Sequence, residues 1–246
     1  MWRALVPPLP LVLRHPWVPG FGVRLNLRQH TTYWKHGLAA YEPHVARLLQ
    51  AVVGPADDVV EVGTHIGFFT LMLAHRARSV VALEPDAGNL RRTRENLDRN
   101  GLSRVRILPY AAGDRDGEET FRLDAATGAA GRLDADASVA ESRRVRVVRL
   151  DRMLREEAGG LVPSFVKIDA EGAEDRVLEG MGDLLDGPTR VLIEVGDETK
   201  AAVHDRLRRH GYRLFNPHAG VWQPEDSHAG WHLYATKREE SGLLPR

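Results

Sequence analysis

The stretch Asp58-Val-Val-Glu-Val-Gly-Thr-His-Ile-Gly-Phe-Phe-Thr70 decides the fold of this chain. Residues 59–62 predict a buried strand, Gly63 and Gly67 bracket a tight loop, and the remaining residues begin a helix. Such a loop brings backbone N–H groups close to a ligand that side chains would exclude. The next predicted strand ends at Glu84, where a ribose would cross the loop. Together these features predict a site for a nucleoside cofactor.

The overall composition is that of one globular α/β domain. The 246 residues are 43% hydrophobic and 28% charged, which are ordinary proportions. The 34 basic and 34 acidic residues cancel, and no apolar run approaches the roughly 20 residues that span a bilayer. We therefore expect neither a nucleic-acid nor a membrane partner. The lack of cysteine excludes disulfides and thiolate metal sites, and it fits a cytoplasmic protein.

Strand-like and helix-like segments alternate from residue 57 onward. Strands are predicted at residues 59–63, 79–84, 104–109, 118–123, 143–150, 165–169, 190–195, 212–215 and 231–236, and helices at 68–78, 86–100, 151–157, 175–185 and 199–210. This alternation predicts an α/β fold, a doubly wound and mostly parallel sheet with helices on both faces. A turn-rich stretch separates the last two strands, which predicts an antiparallel hairpin at the sheet edge.

Three segments differ in composition from the predicted core domain of residues 41–237. Residues 1–40 predict an N-terminal arm or cap, which packs on the domain or on a partner subunit of a homodimer. Residues 124–142 are small and polar and predict a mobile loop, either a substrate lid or a plain insertion. Residues 238–246 predict a frayed tail.

The spacing of the glycine loop discriminates between cofactors. A dinucleotide site reads G-x-G-x-x-G, whereas this chain has Glu61-x-Gly63-x-x-x-Gly67. A carboxylate at Glu61 would repel a pyrophosphate but would attract the ammonium and sulfonium groups of S-adenosylmethionine. The loop therefore favours S-adenosylmethionine over a nicotinamide cofactor. Glu84 suits the ribose of either, and the small side chain of Ala112 leaves room for an adenine ring.

Four sequence blocks occur in the order typical of one enzyme family. They are Tyr41-Glu-Pro-His44, Glu61-Val-Gly-Thr-His-Ile-Gly-Phe-Phe-Thr70, Ala82-Leu-Glu-Pro85 with Asn89 and Asn96, and Val166-Lys-Ile-Asp-Ala-Glu-Gly-Ala-Glu174. With these blocks the chain resembles the FkbM-type S-adenosylmethionine-dependent methyltransferases from about residue 40 to 196. The resemblance implies a Rossmann-like class I methyltransferase sheet with an antiparallel edge strand.

The predicted cofactor contacts follow from the loop and the strand ends. They are Glu61, Gly63, Thr64, Gly67, Phe68, Glu84, Pro85, Ala112 and Asp169. The family usually has D-V-G-A-N in the loop, where this chain has Glu61, Thr64 and His65. Glutamate keeps the charge of aspartate, so cofactor binding should persist. His65 keeps hydrogen-bonding ability but can titrate near neutrality, and it is a candidate for a catalytic role.

An acidic cluster follows the fourth and fifth predicted parallel strands. Asp169, Glu171 and Glu194 should meet at the carboxyl edge of the sheet, so they are candidate catalytic residues. Asp169 could act as a general base, or the three acids could hold Mg²⁺ beside an acceptor hydroxyl. Alternatively, Lys167, Glu171 and Glu174 form a structural ion-pair network, with Glu174 beginning a helix. No histidine spacing predicts a metal site.

The leading interpretation is a methyltransferase that uses S-adenosylmethionine and a small-molecule acceptor. The resemblance implies O-methylation of a hydroxyl on a specialised metabolite or a sugar. N-methylation or carboxyl methylation of a peptide-like acceptor is the alternative among enzymes. A non-catalytic binding module with the same fold is the alternative from another class, although the intact loop and Glu84 argue against it.

Overall fold

The structure is a computed structural model that describes residues 9–123, 131–133, 142–224, 227–228 and 230–239. Its strands are β1 Pro10–Arg14, β2 Gly22–Asn26, β3 Asp58–Val62, β4 Ser79–Leu83, β5 Val105–Leu108, β6 Tyr110–Ala112, β7 Gly117–Leu123, β8 Gly131–Leu133, β9 Ser142–Val148, β10 Phe165–Ile168, β11 Arg190–Glu194, β12 Arg213–Asn216, β13 Val221–Trp222 and β14 His232–Thr236. Its α-helices are α1 Thr31–Trp34, α2 Pro43–Val52, α3 Phe68–Arg76, α4 Ala87–Arg99, α5 Leu150–Glu157, α6 Glu174–Met181 and α7 Lys200–Arg209. Short 3₁₀ turns lie at Leu38–Ala40 and Gly182–Leu185.

The central sheet has the order β13-β12-β14-β11-β10-β3-β4-β5. Strands β5, β4, β3, β10 and β11 are parallel, and β14 pairs antiparallel with both β11 and β12. The predicted doubly wound sheet and its antiparallel hairpin are thus confirmed, with β13 as an additional edge strand. The chain adds β4 and β5 on one side of β3, then returns to add β10 and β11 on the other. Ligands of such sheets bind at this reversal.

Burial explains why β3 and β10 stand at the centre of the sheet. Every residue of both strands is buried, as expected for strands that helices cover on both faces. One apolar cluster joins α2 and α3 to the sheet, and a second joins α5, α6 and α7 to its opposite face. The prediction of helices on both faces is therefore confirmed.

A second, four-stranded sheet has the order β6-β9-β7-β8. It contains the strands predicted at 118–123 and 143–150, which do not extend the central sheet because Ala111, Phe121, Val145 and Val147 form an apolar cluster of their own. β8 lies within the predicted loop 124–142. The rest of that loop, residues 124–130 and 134–141, lies outside the described residues.

The N-terminal arm packs on the domain through a hairpin of β1 and β2, which was not predicted. Asn96 of α4 accepts a hydrogen bond from the Arg24 backbone N–H at 2.7 Å, and Asn100 accepts one from Gly22 at 2.8 Å. His15 also contacts the Phe68 carbonyl oxygen at 3.1 Å. Residues 1–8 of the predicted arm and 240–246 of the predicted tail lie outside the described residues. Within the described ranges, no helix is long and apolar enough to cross a membrane.

Candidate active site

A cavity of about 250 Å³ opens at the carboxyl ends of β3, β4, β10 and β11. This is the reversal of the strand order, where the sequence placed the site. The cavity is lined by Tyr33, Tyr41, Glu42, Val62, Gly63, His65, Glu84, Pro85, Asn89, Tyr110, Ala111, Ala112, Phe121, Leu133, Asp169, Ala170, Glu171, Ala173 and Glu194. We call the part near β4 and the second sheet the nucleoside side, and the part near β10, β11 and α2 the acidic side.

Glu84 dominates the nucleoside side. Its Oε2 atom accepts a hydrogen bond from the His65 backbone N–H at 2.8 Å, and its Oε1 atom accepts one from the Asp86 N–H at 2.9 Å. Burial raises the pKa of Glu84 to about 8, although these two N–H groups favour the ionised form. Each carboxylate oxygen keeps further acceptor capacity, so the side chain is held in place to accept two hydroxyl groups.

Small and apolar side chains complete the nucleoside side. Ala111 and Ala112 come from β6, while Phe121 and Leu133 come from β7 and β8 of the second sheet. Together with Pro85 they form a wall suited to a flat ring. The sequence indicated Pro85 and Ala112 but missed Phe121 and Leu133, because nothing local to those residues shows that the second sheet folds over the cavity.

The two glycines of the loop are required by close packing. Gly63 has φ +80°, and a Cβ atom there would lie 2.0 Å from the Asp169 carbonyl oxygen. Gly67 has φ +83°, and its Cβ would lie 2.9 Å from Thr93 Cγ2. Both positions therefore need a residue without a side chain. Of the predicted cofactor contacts in the loop, Gly63 lines the cavity.

Four predicted cofactor contacts are not among the residues that line the cavity. Gly67 packs on α4, as does Thr64, whose Oγ1 lies 3.3 Å from Thr93 Oγ1. Phe68 stacks on His15 with ring centroids 4.5 Å apart. Glu61 is buried in β3 opposite Lys167 of β10. Direct contact of these four residues with a cofactor remains a prediction.

The environment of Glu61 is polar although the residue is almost fully enclosed. Burial raises its pKa to about 7, and the nearby charge of Lys167 limits that rise. Among the described residues, its Oε2 atom has no hydrogen-bond partner. A buried acceptor of this kind, just behind the loop, is complementary to a cation.

On the acidic side, the structure brings together the three predicted catalytic acids and a fourth, Glu42. Asp169 accepts a hydrogen bond from Lys167 Nζ at 3.2 Å. Burial, together with the charges of Asp169 and Glu194, raises the pKa of Glu171 to about 8. Glu42 belongs to the Tyr41-Glu-Pro-His block, but its distance in sequence from the other acids gave no sign that it would join them.

His232 bridges two of these acids. Its Nε2 atom lies 3.3 Å from Glu194 Oε2 and 3.5 Å from Glu42 Oε2, and its Nδ1 atom lies 3.1 Å from His44 Nε2. Burial alone lowers the pKa of His232, but the hydrogen bonds and charges of both glutamates raise it to about 9. Burial raises the pKa of Glu42, yet the hydrogen bond from His232 leaves it below its ordinary value.

The predicted magnesium ligands do not form a close set. Asp169, Glu171 and Glu194 all line the cavity. Within the described part of the chain, however, the one group of three metal-ligating side chains whose ligand atoms all lie within 4.8 Å of one another is Glu42, Glu194 and His232. The close approach of these residues depends on the pairing of β14 with β11, which no local pattern specifies.

The alternative ion-pair network is also arranged differently from its prediction. Lys167 pairs with Asp169, while Glu174 accepts hydrogen bonds from the Gly172 N–H at 2.6 Å and from Thr199 Oγ1 at 2.5 Å. Glu174 is the first residue of α6, which confirms its predicted place at a helix start.

His65 lies at the junction of the two sides. Its backbone N–H donates to Glu84, and its Nδ1 atom lies 2.9 Å from the Tyr33 hydroxyl oxygen. Its φ is +49°; Glu42 and Glu171 have φ of +40° and +46°. These three residues are the non-glycine residues with positive φ in the described ranges, and all line the cavity. Such unfavourable backbone conformations concentrate at functional sites.

The charges that line the cavity are strongly unequal. Its described lining contains five carboxylates, namely Glu42, Glu84, Asp169, Glu171 and Glu194, and neither lysine nor arginine. Lys167 pairs with Asp169 but is not among the residues that line the cavity. The cavity is therefore complementary to a ligand with positive charge, which agrees with the preference inferred from Glu61.

The strand order and the strand-end cavity are those of a Rossmann-like fold of the class I methyltransferase type. A model of the Methyltransferase FkbM domain matches residues 61–214, more than half of the chain. The chain belongs to the FkbM methyltransferase family, which confirms the resemblance seen in its sequence.

Individual relatives share part of the sequence. Over 210 residues the chain is 31% identical to the AMB antimetabolite synthetase AmbE of Pseudomonas aeruginosa, a match that covers 66% of this chain and 10% of AmbE. It is 28% identical over 181 residues to the hexuronic acid methyltransferase AglP of Haloferax volcanii, with 72% of each chain covered. An FkbM methyltransferase structure from Methylobacillus flagellatus has a TM-score of 0.49 and 18% identity, covering 73% of this chain and 43% of that one.

Proposed function

We propose that this protein transfers the methyl group of S-adenosylmethionine to a hydroxyl of a small specialised metabolite or sugar. The observation that carries the proposal is the set of five carboxylates around a strand-end cavity without lysine or arginine in its described lining. S-adenosylmethionine carries one net positive charge, from an ammonium, a sulfonium and a carboxylate. A nucleotide phosphate would be repelled by the same wall.

The residues present fit this cofactor. Glu84 offers two fixed acceptor oxygens to the ribose hydroxyls, and Ala112 and Phe121 border the space for the adenine. Gly63 has no side chain, so the loop can pack closely on the Asp169 backbone and still leave the cavity free for the cofactor. When bound, the cofactor supplies an electrophilic methyl group on sulfur. We place the methionine portion toward Asp169, whose charge complements its ammonium, and toward Glu171, which ionises when the cation binds.

Asp169 is the residue that we propose as the general base. It lies at the carboxyl end of β10, and its pairing with Lys167 holds the carboxylate in one orientation. As the new oxygen–methyl bond forms and the sulfur–methyl bond breaks, the acceptor hydroxyl passes its proton to Asp169. Glu171 and Glu194 line the same wall and orient the acceptor. His65, held by Tyr33, sits between acceptor and cofactor.

An amine acceptor is the second candidate function. The surplus of carboxylates on the acidic side would also attract a protonated amine, and one carboxylate could remove its proton before transfer. A screen with labelled methyl donor separates the outcomes, because a methyl ether resists base, a methyl ester does not, and a methylamine is basic. The relative AglP, named a hexuronic acid methyltransferase, suggests uronic acids and other sugars as the first acceptors for the screen.

Calorimetry with S-adenosylhomocysteine tests the cofactor directly. We expect micromolar binding, and Glu84→Ala should weaken it by about 1–3 kcal/mol through the loss of charge-assisted hydrogen bonds. Glu179→Gln is a suitable control, since that side chain is 55% exposed on α6 and pairs with Arg206. Undetectable binding of both S-adenosylmethionine and S-adenosylhomocysteine to the folded protein would refute the proposal.

We further propose that the partner is a small molecule and that the protein needs no nucleic acid. The zero formal charge of the chain and the acidity of the cavity support this, since polyanions would be repelled from the reacting groups. The homodimer and the cytoplasmic location suggested by the sequence stay predictions, which sedimentation and cell fractionation can test.

A further inference from the structure

Three residues distant in sequence converge beside the cavity. Glu42 precedes α2, Glu194 ends β11 and His232 begins β14. Glu194 and His232 are direct partners in the antiparallel register of β11 and β14, so the sheet sets their separation. The charged atoms of the glutamates lie 3.3 and 3.5 Å from His232 Nε2.

These separations match those of donor atoms around one metal ion. Two donors that are each about 2.1 Å from an ion lie roughly 3.0–3.4 Å apart in octahedral or tetrahedral arrangements. One ligand atom from each residue lies within 4.8 Å of the other two. Side-chain movements of about 1 Å or less would bring all three ligand atoms to bonding distance from one ion.

The surroundings also resemble the outer shell of a metal site. A ligating histidine normally uses its other ring nitrogen in a hydrogen bond that fixes the orientation of the ring. The Nδ1 atom of His232 has such a partner in His44 Nε2 at 3.1 Å. His44 is not itself one of the three grouped ligands, so its ring can serve as the partner that orients the imidazole of His232.

The ligand types indicate the kind of ion. Two carboxylates alone would suit Mg²⁺ or Ca²⁺, whereas an added imidazole favours Mn²⁺, Fe²⁺, Co²⁺ or Zn²⁺. We propose that Glu42, Glu194 and His232 bind one divalent first-row transition-metal ion at the acidic side of the cavity. Three protein ligands leave at least one coordination position open, and both glutamates line the cavity, so that position is accessible to an acceptor.

The consequence for catalysis rests on the proposed function. A hydroxyl bound to the ion would lose its proton more easily, and Asp169 would take that proton as the oxygen–methyl bond forms. The ion would thus select acceptors that present an oxygen to it, and an amine acceptor would gain less. Metal binding itself requires no cofactor and can be measured on the protein alone.

The experiment uses tag-free protein, stripped with chelator and titrated with Co²⁺ alone. We expect one Co²⁺ per chain, with a visible d–d absorption band that Zn²⁺ abolishes by competition. His232→Gln and Glu194→Gln should each weaken Co²⁺ binding at least tenfold. His44→Gln should weaken it about 10–100-fold without abolishing it, as expected for an outer-shell partner.

The matched control is His210→Gln. It removes a histidine paired with a carboxylate at 2.8 Å, Asp186, outside the cavity, and it should leave the Co²⁺ affinity unchanged. Thermal melting and S-adenosylhomocysteine binding of every variant show that it folds. Absence of stoichiometric Co²⁺ binding, or binding that survives both Glu194→Gln and His232→Gln, would overturn the metal site.

The two proposals fail separately. If S-adenosylhomocysteine binds but Co²⁺ does not, the metal site is wrong and the methyltransferase proposal stands. If Co²⁺ binds through these three residues but neither S-adenosylmethionine nor S-adenosylhomocysteine binds, the proposed function is wrong and the metal site stands.

Discussion

The nucleoside side and the acidic side of the cavity are assembled in opposite ways. One part of the nucleoside side comes from the continuous unit that runs from β3 to the end of β4, in which Gly63 and Glu84 are close in sequence, and the other part comes from the second sheet. The acidic side is assembled from the ends of four separate elements, because Glu42 precedes α2, Asp169 and Glu171 follow β10, Glu194 ends β11 and His232 begins β14. Local geometry is enough to place Gly63 and Glu84, whereas the wall from the second sheet and the whole acidic side exist only when the tertiary structure has formed.

The electrostatics of the two sides differ as well. On the nucleoside side a single carboxylate is held by two backbone N–H groups. On the acidic side the charge of Lys167 interacts with Asp169, Glu42 and Glu194, and the charge of His232 interacts with Glu42 and Glu194. The first arrangement suits neutral hydroxyl groups that donate hydrogen bonds, while the second suits a ligand with positive charge. Variants of Asp169, Gly63 and Glu171 separate these two kinds of recognition.

The largest expected effect is that of Asp169→Asn on turnover. The amide keeps the shape of the side chain but cannot take a proton, so turnover should fall about 10²–10⁴-fold. S-adenosylhomocysteine affinity should fall by a smaller factor, because one charge near its ammonium is lost while Glu84 on the other side is unchanged. The measurement is the initial rate with an acceptor from the labelled-donor screen, with Glu179→Gln as the control. Unchanged turnover would remove Asp169 from the role of base.

Gly63→Ala should destabilise the loop that packs on Asp169, where the two sides of the cavity meet. The new Cβ would meet the Asp169 carbonyl oxygen at 2.0 Å, in a backbone conformation with φ +80°. We expect a loss of about 3 kcal/mol or more in the free energy of unfolding, measured by urea denaturation. Gly101→Ala is the matched control, since it has φ +69° but nothing within 4 Å of its Cβ. Equal losses in both variants would show that backbone strain alone, without the clash, is responsible.

A smaller effect should appear in the pH dependence of cofactor affinity. Burial raises the pKa of Glu171 to about 8, so this side chain is mostly protonated at pH 7. The cation S-adenosylmethionine favours its ionised form, and binding should therefore release a proton. Affinity should rise as the pH increases toward about 8, by at most tenfold per pH unit for one proton, and then level off.

Comparison of the two ligands assigns this proton to the acidic side. S-adenosylhomocysteine lacks the sulfonium charge, so it should release fewer protons in calorimetry performed in buffers of different ionisation enthalpy. In Glu171→Gln the difference between the two ligands should shrink. If both ligands release equal numbers of protons, the acidic side does not sense the sulfonium.

Features that depend on local signals were predicted from the sequence, and features that depend on contacts between distant segments were not. The parallel strands, their helices and the position of Glu84 were predicted, because alternation, periodicity and glycine spacing are local signals. Asp169, Glu171 and Glu194 were placed at the same edge of the sheet, since parallel strands end together. The hairpin of the N-terminal arm, the second sheet with Phe121, and the pairing of Glu42 with His232 were missed. Each depends on contacts between segments far apart in the chain.

By itself, the sequence determined the fold class, the family and the positions of Gly63 and Glu84 on the nucleoside side of the cavity. Hydrophobic periodicity selects strands and helices, and two glycines with a carboxylate after the next strand predict a ribose site. Only the tertiary structure decided that His232 lies between Glu42 and Glu194, and that Glu61 lies behind the loop opposite Lys167. The physical reason is that side-chain charge acts through space, and the sheet brings together residues whose separation in the chain carries no signal of their contact.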